Sequence, residues 1–336
     1  MKAIVLKDFG GVENFDLQEV AVPEVKPHEV LIRIKATAFN PIDYQMRQGS
    51  TESKLLKSPI LGRELSGEIV ETGEKVTRLQ TGDKVSAYVG SLASNGTYTE
   101  YISVPQELVA KNPDNISFEE AAALPMVGMT ALQCFKRVDI PKDKPVFITG
   151  GAGGVGTILI KLLLAKGNQS VYTTAGNERS IAHLTGLGLP SENIFNYKQD
   201  DLTSAVPSRL GEQALEYCID LVGGKLSELC AGLLDVYGTY VDITFLTTPE
   251  ARELLFDKAN IIVNVANYAH TLKKGEMDLS YYGESLQELF RLIENGNITP
   301  AAINTVGELS VDTVKKAHTL MENNQTKGSK LVMINY

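Results

Sequence analysis

Short runs of β-branched and aromatic residues, separated by turn residues, fill the first hundred positions. "KAIVLKDF", "EVLIRIKATAF", "GEIVETGEKV" and "TGDKVSAYV" follow one another, and "GTYTEYISVP" alternates before stopping at Pro105. Such runs read as strands, and many of them between Gly and Pro turns predict a small barrel-like β unit. The pattern changes near Ser117. "SFEEAAALPMVGMTALQCF" is predicted as a helix, with Ser117 as N-cap and Glu120 at the capping-box position. From Val146 strands and helices alternate: "PVFITG", "VGTILIKLLLAKG", "QSVYTTAG", "NERSIAHLTGLG", then strands in "EYCIDLVGG", "GTYVDITF" and "NIIVNVANY". That alternation predicts an α/β fold with a doubly wound parallel sheet. The tail returns to a mixed character, with helices at "ESLQELFRLIENG" and "VDTVKKAHTLMENN" and a last strand, "KLVMINY".

One turn of this alternation carries chemistry. Gly151-Ala152-Gly153-Gly154-Val155-Gly156 lies between a predicted strand and a predicted helix. Gly151 suits a tight turn, Gly153 lets backbone approach a pyrophosphate, and Gly156 lets the helix pack on the strand. The helix N-terminus offers free N–H groups to phosphate. A glycine turn without a ligand is the plainer alternative. About 20 residues further on, an NAD site places Asp or Glu against the ribose 2′-hydroxyl. Here the strand ends on Thr174, Ala175 and Gly176, followed by Asn177 and Arg179, with no carboxylate before Glu178. Small neutral residues and an arginine suit a 2′-phosphate, so the expected cofactor is NADPH rather than NADH. Arg179 as a solvated helix residue is the alternative, and Lys198 beside Tyr197 is a second candidate for that phosphate.

Composition narrows the classes. A chain of 336 residues is long for one core and suggests two domains. A net charge of -9 argues against a nucleic-acid partner. The three cysteines (Cys134, Cys218, Cys230) form no CxxC pair, and the four histidines form no HxxxH pair, so neither a disulfide framework nor a Cys or His metal site is indicated. Lys2, Lys7 and Asp8 interrupt the first apolar run, and Lys161 breaks the most apolar stretch. No membrane partner is therefore expected, and a cytoplasmic protein is.

"NPIDYQMRQG" (40–49), "LGRELSGEIVETG" (61–73), "GDKV" (82–85), "AAALPMVGMTA" (121–131), "GGAGGVG" (150–156) and "DLVGG" (220–224) occur in the order found in the medium-chain dehydrogenase/reductase superfamily, which the chain resembles over nearly its whole length. The resemblance implies a GroES-like catalytic domain over 1–120 and 266–336 and a Rossmann domain over 121–265. In the zinc-dependent branch a Cys stands where this chain has Asn40, and a His where it has Arg63, and four further cysteines form a lobe without counterpart here. Asn and Arg are not zinc ligands, and Glu64 alone cannot hold a metal. The chain thus resembles the zinc-free NADPH:quinone oxidoreductase-like branch, and no zinc is expected.

The resemblance implies a reductase of quinones or α,β-unsaturated carbonyls, whose delocalised oxyanion needs only hydrogen-bond donors. Asn40, Tyr44 and Arg47 are the candidate catalytic residues, with Asn40 also facing the cofactor. Arg63 is expected to pair with Glu64 or Asp43. Thr130, Tyr197, Val222, Ile243, Thr244 and Phe245 join the glycine loop, Thr174, Ala175, Asn177 and Arg179 as expected cofactor contacts. Ordinary structural roles compete: Asp43 as a helix cap, Arg47 in an ion pair, Val222 and Ile243 in the core. Loops within 49–60, 89–96 and 264–284 are candidates to shape the substrate pocket. A homodimer through the nucleotide domain, with "NIIVNVANY" as its edge strand, is also implied. Two other classes stay open: a cofactor-binding protein without turnover, in a structural or sensor role, and a zinc alcohol dehydrogenase.

Overall fold

The computed structural model describes residues 1–50, 53–90, 96–272, 278–326 and 328–336. Residues 51–52, 91–95 and 273–277 of the candidate substrate loops lie outside them. The described chain divides into two compact units, 1–129 with 268–336, and 130–267.

The first unit opens with the hairpin-like pair β1 (Lys2–Leu6) and β2 (Phe15–Glu19). β3 (Glu29–Ala38) then leads through Asn40 into the short helix α1 (Pro41–Arg47). β4 (Glu64–Thr72), β5 (Lys84–Tyr88), β6 (Tyr101–Pro105) and β7 (Val109–Lys111) complete the antiparallel part. Alternate residues of β3, such as Val30, Ile32 and Ile34, are buried in a core shared with Leu65, Ile69, Val85 and Val104, the period expected of a half-covered sheet.

The predicted single helix from Ser117 is two helices, α2 (Phe118–Ala122) and α3 (Pro125–Val138). The reason is Pro125, which lacks an N–H and starts a helix more readily than it continues one. The Ser117–Glu120 capping box is present in full.

In the second unit the strands are β8 (Val146–Ile148), β9 (Val171–Ala175), β10 (Ile194–Asn196), β11 (Tyr217–Asp220), β12 (Thr239–Asp242) and β13 (Ile261–Asn264). Between them run α4 (Gly154–Lys166), α5 (Glu178–Gly186), α6 (Leu202–Leu210), α7 (Lys225–Leu233) and α8 (Pro249–Asp257). The sheet order is β10-β9-β8-β11-β12-β13, with the pairings parallel. This is the doubly wound α/β fold expected from the alternation. The direction of winding reverses between β8 and β11, the point at which doubly wound sheets generally place a ligand.

The chain then returns to the first unit through α9 (Ser280–Glu294), β14 (Ile303–Glu308), α10 (Val311–Glu322) and β15 (Lys330–Ile334). β15 pairs antiparallel with β3 in the register Val332↔Ala38. Two residues further along that register, on the same face, Lys330 faces Asn40.

Candidate functional site

The glycine loop connects β8 to α4, and its backbone is held from behind by β9. Thr174 Oγ1 accepts the Gly150 N–H at 2.9 Å, and Thr173 Oγ1 accepts the Gly151 N–H at 3.1 Å. Gly150 has φ +66. A Cβ on Gly156 would stand 2.6 Å from Gly151 Cα, and one on Gly151 would stand 2.1 Å from Thr173 Oγ1. Gly153 is the N-cap of α4 and has no side chain to accept the first-turn N–H groups. Gly153 is exposed and Gly154 and Val155 half-exposed, whereas Ala152 and Gly156 are buried. The loop therefore presents bare helix-N-terminal backbone to solvent, which fits a phosphate.

The end of β9 is neutral, as its sequence says. Thr174 and Ala175 are buried, and the Asn177 side chain caps α5 by accepting the Ser180 N–H at 2.9 Å. Arg179 is exposed on the first turn of that helix. Tyr197 lies against Gly176, where a Cβ would come within 2.4 Å of the phenol oxygen. Its ring is 48% exposed, with the Lys198 ammonium 6.0 Å from its centroid. Arg179 and Lys198 carry positive charge near this end, and β9 itself contains no carboxylate. Thr130 is buried and accepts from Asn267 Nδ2 at 2.8 Å. At the ends of β11 and β12, Val222 is 44% and Phe245 86% exposed, and Ile243 and Thr244 are half-exposed. Val222 and Phe245 therefore lie open to solvent, and Ile243 is partly covered.

The first unit buries a set of charges around Asn40. Glu64, fully buried, accepts from Lys330 Nζ at 2.8 Å, from Asn40 Nδ2 at 2.8 Å and from the Met126 N–H at 2.7 Å. Lys330 also donates to Asn40 Oδ1. Sequence reading missed Lys330, because only the β15–β3 register brings it to a residue 290 positions away. The partner of Glu64 is thus Lys330 and not Arg63. Arg63 is buried, donating to Tyr88 Oη at 3.1 Å and to Met46 Sδ at 3.0 Å, with the guanidinium 5.8 Å from the Tyr88 ring centroid. Asp43 Oδ2 accepts the Asn40 N–H at 2.7 Å, which caps α1, and its Oδ1 is buried, with the Tyr98 hydroxyl beside the carboxyl. Burial pushes the Asp43 carboxyl up to about 7 against the opposing pull of the Asn40 N–H, Arg63 and Lys330.

Of the expected catalytic residues, only Asn40 belongs to this set. Tyr44 packs half-buried against the cluster of Phe39 and Tyr98. Arg47 is buried on the far side of α1, donating to Gly10 O, to Glu322 and, at 3.4 Å, to His318 Nδ1. That last bond fixes the His318 proton on Nε2, which lies 3.1 Å from Tyr98 Oη. Burial, aided by the Arg47 charge, lowers His318 to about 3, so the ring is neutral.

Two family models match the chain: the alcohol dehydrogenase GroES-like domain over residues 26–114 and the zinc-binding dehydrogenase domain over residues 189–332. The quinone-oxidoreductase homolog of the chloroplast of Spinacia oleracea is 35% identical over 265 residues, 75% of this chain and 78% of that protein. The NADPH-dependent alkenal/one oxidoreductase of Arabidopsis thaliana chloroplasts is 28% identical over 342 residues, 99% of this chain and 79% of that protein. The structure of a quinone oxidoreductase from Coxiella burnetii superposes with a TM-score of 0.82 at 29% identity, covering 99% of both chains. A zinc ion, implied by the name of the second model, does not fit the residues described. Asn40 and Arg63 are not ligands, the Glu64 carboxylate is engaged by an ammonium group, and no three His, Cys, Asp or Glu stand together among the described residues.

Proposed function

Because this chain belongs to the medium-chain dehydrogenase/reductase superfamily, we propose that it is an NADPH-dependent, zinc-independent reductase of quinones or α,β-unsaturated carbonyls. The observation that carries this reading is the glycine cradle on the bare N-terminus of α4, next to a β9 end without a carboxylate. Gly151 to Gly156 would receive the pyrophosphate, with Thr174, Ala175, Asn177, Arg179 and Tyr197 at the adenosine end. Val222, Ile243, Thr244 and Phe245 would line the nicotinamide end, with Thr130 as a further contact. Bound NADPH supplies a hydride. The chain's part is to orient the cofactor and the acceptor and to stabilise oxyanion charge with hydrogen-bond donors.

We assign Asn40 to orientation: its amide is fixed between Glu64 and Lys330, so the start of α1 is rigid. Tyr44 remains a candidate donor. Arg47 we assign to structure, since its guanidinium bonds lie within the first unit. The protein is proposed to be a cytoplasmic homodimer. The three buried, unpaired cysteines favour a reducing compartment, and the exposed edge strand β13 favours self-pairing.

A panel of quinones, alkenals and enoyl thioesters, assayed by NADPH and NADH oxidation with parallel metal analysis, tests the reading. The expected result is NADPH-dependent turnover without stoichiometric zinc. Tight NADPH binding with no oxidation across the panel would favour the binding-protein reading, and one zinc per chain would favour an alcohol dehydrogenase. Arg179→Ala is expected to lower the preference for NADPH over NADH by roughly tenfold, the value of a lost charge-assisted hydrogen bond.

A further inference from the structure

Two buried carboxylates stand side by side at the carboxyl ends of neighbouring strands, Asp220 on β11 and Asp242 on β12, paired in the register of the sheet. Neither meets a cation in the contacts described for it. Asp220 Oδ1 accepts from Thr149 Oγ1 at 2.7 Å and from the N–H groups of Val222 and Gly223 at 3.0 and 2.9 Å. Its Oδ2 accepts from Tyr240 Oη at 2.8 Å. Asp242 Oδ1 accepts the N–H groups of Thr244 and Phe245 at 2.9 and 2.8 Å, and its Oδ2 accepts from Thr247 Oγ1 at 2.7 Å. The Tyr240 and Thr247 oxygens lie 3.2 Å apart, and the Gly224 N–H donates to Leu246 O at 3.0 Å. One connected set of polar groups therefore holds both loops.

Both loops turn through positive φ. Gly223 and Gly224, at +80 and +61, adopt it without steric cost, whereas Phe245, at +59, has a side chain and is strained. The outcome is that Val222 and Phe245 stand in solvent, 44% and 86% exposed, with a carboxylate behind each. Val222 also reaches the glycine loop, since a Cβ on Gly150 would lie 2.8 Å from its Cγ2. In a doubly wound sheet whose adenosine half lies over β9, the other half of the dinucleotide falls over β11 and β12.

We propose that Asp220 and Asp242 are positioning residues for the nicotinamide half of NADPH, fixing Val222 and Phe245 as apolar walls for a planar ring. This rests on the NADPH reading above. The carboxylates act through the loops and touch no reacting atom.

The test compares NADPH with adenosine 2′,5′-bisphosphate, which carries only the adenosine end, by calorimetry on Asp242→Asn, Asp220→Asn and the parent. Each variant is expected to weaken NADPH about tenfold or more, as for a lost hydrogen bond to a charged group, and to leave the bisphosphate unchanged. Loss of both ligands in parallel, or of neither, overturns the proposal. Should a carboxylate variant fail to fold, Thr247→Val is expected to give the same split and Thr247→Ser to restore it. A parent protein that binds neither ligand overturns the NADPH reading itself. One that binds both, with variants that do not separate them, overturns only the positioning role.

Discussion

Single residues decide how the buried charge of the first unit is tolerated. Glu64 and Lys330 have side chains 0% and 6% exposed, so removing one partner strands the other. Lys330→Met is expected to destabilise the protein by about 3–5 kcal/mol, and Lys330→Met with Glu64→Gln to recover much of that, measured by urea unfolding. Asp43 and His318 respond to pH in opposite directions. Asp43 rises to about 7 on folding and His318 falls to about 3. Between about pH 4 and 6.5 the unfolded chain carries its proton on the histidine and the folded chain carries it on the aspartate. The two linkage slopes oppose each other, so together they leave stability nearly flat in that window. Asp43→Asn is expected to unmask the histidine, with stability rising as pH rises toward 6.5. His318→Gln should unmask the aspartate, with stability falling between pH 4 and 7. Each slope approaches about 1.4 kcal/mol per pH unit, and unfolding curves across the window read it.

At the scale of elements, the β8–loop–α4 turn is the most constrained. Gly156 lets α4 pass within contact of Gly151, and even a methyl group would meet that backbone at 2.6 Å. Gly156→Val is expected to cost about 1–3 kcal/mol through forced backbone shifts, and to abolish measurable NADPH binding by fluorescence. This turn was legible in the sequence because all its requirements are local: a strand, glycines at fixed spacing, then an apolar helix. The break between α2 and α3 was equally local, yet the continuous apolar pattern across Leu124-Pro125 hid it. β10, only three residues long, and α6, which tolerates Pro207 in its interior, lacked any period strong enough to mark them.

For the whole molecule, the order of strands in the second unit leaves β13 at an edge, with Ile261 57% and Ile262 48% exposed. An apolar edge of this kind recruits another strand unless it is covered. Ile262→Lys is expected to convert a dimer to a monomer by sedimentation velocity; a parent that already sediments as a monomer would remove the homodimer from the proposal. The candidate site was only partly legible at this scale. Asn40 could be singled out, but Lys330 could not, and Tyr44 and Arg47 lie on the helix that follows Asn40 while facing other surroundings.

What the sequence determined by itself is what short-range chemistry dictates: the alternation that makes a doubly wound sheet, the glycine loop, the carboxylate-free end of β9, and side chains at 40 and 63 that do not ligate metals. The tertiary structure decided which distant groups meet. Strand register set Lys330 against Asn40 and Glu64, and placed Asp220 beside Asp242. Burial moved the Asp43 carboxyl up and the His318 ring down, so their pH responses oppose. Such contacts depend on the pairing of strands far apart in the chain, and on desolvation that exists only once the core has closed.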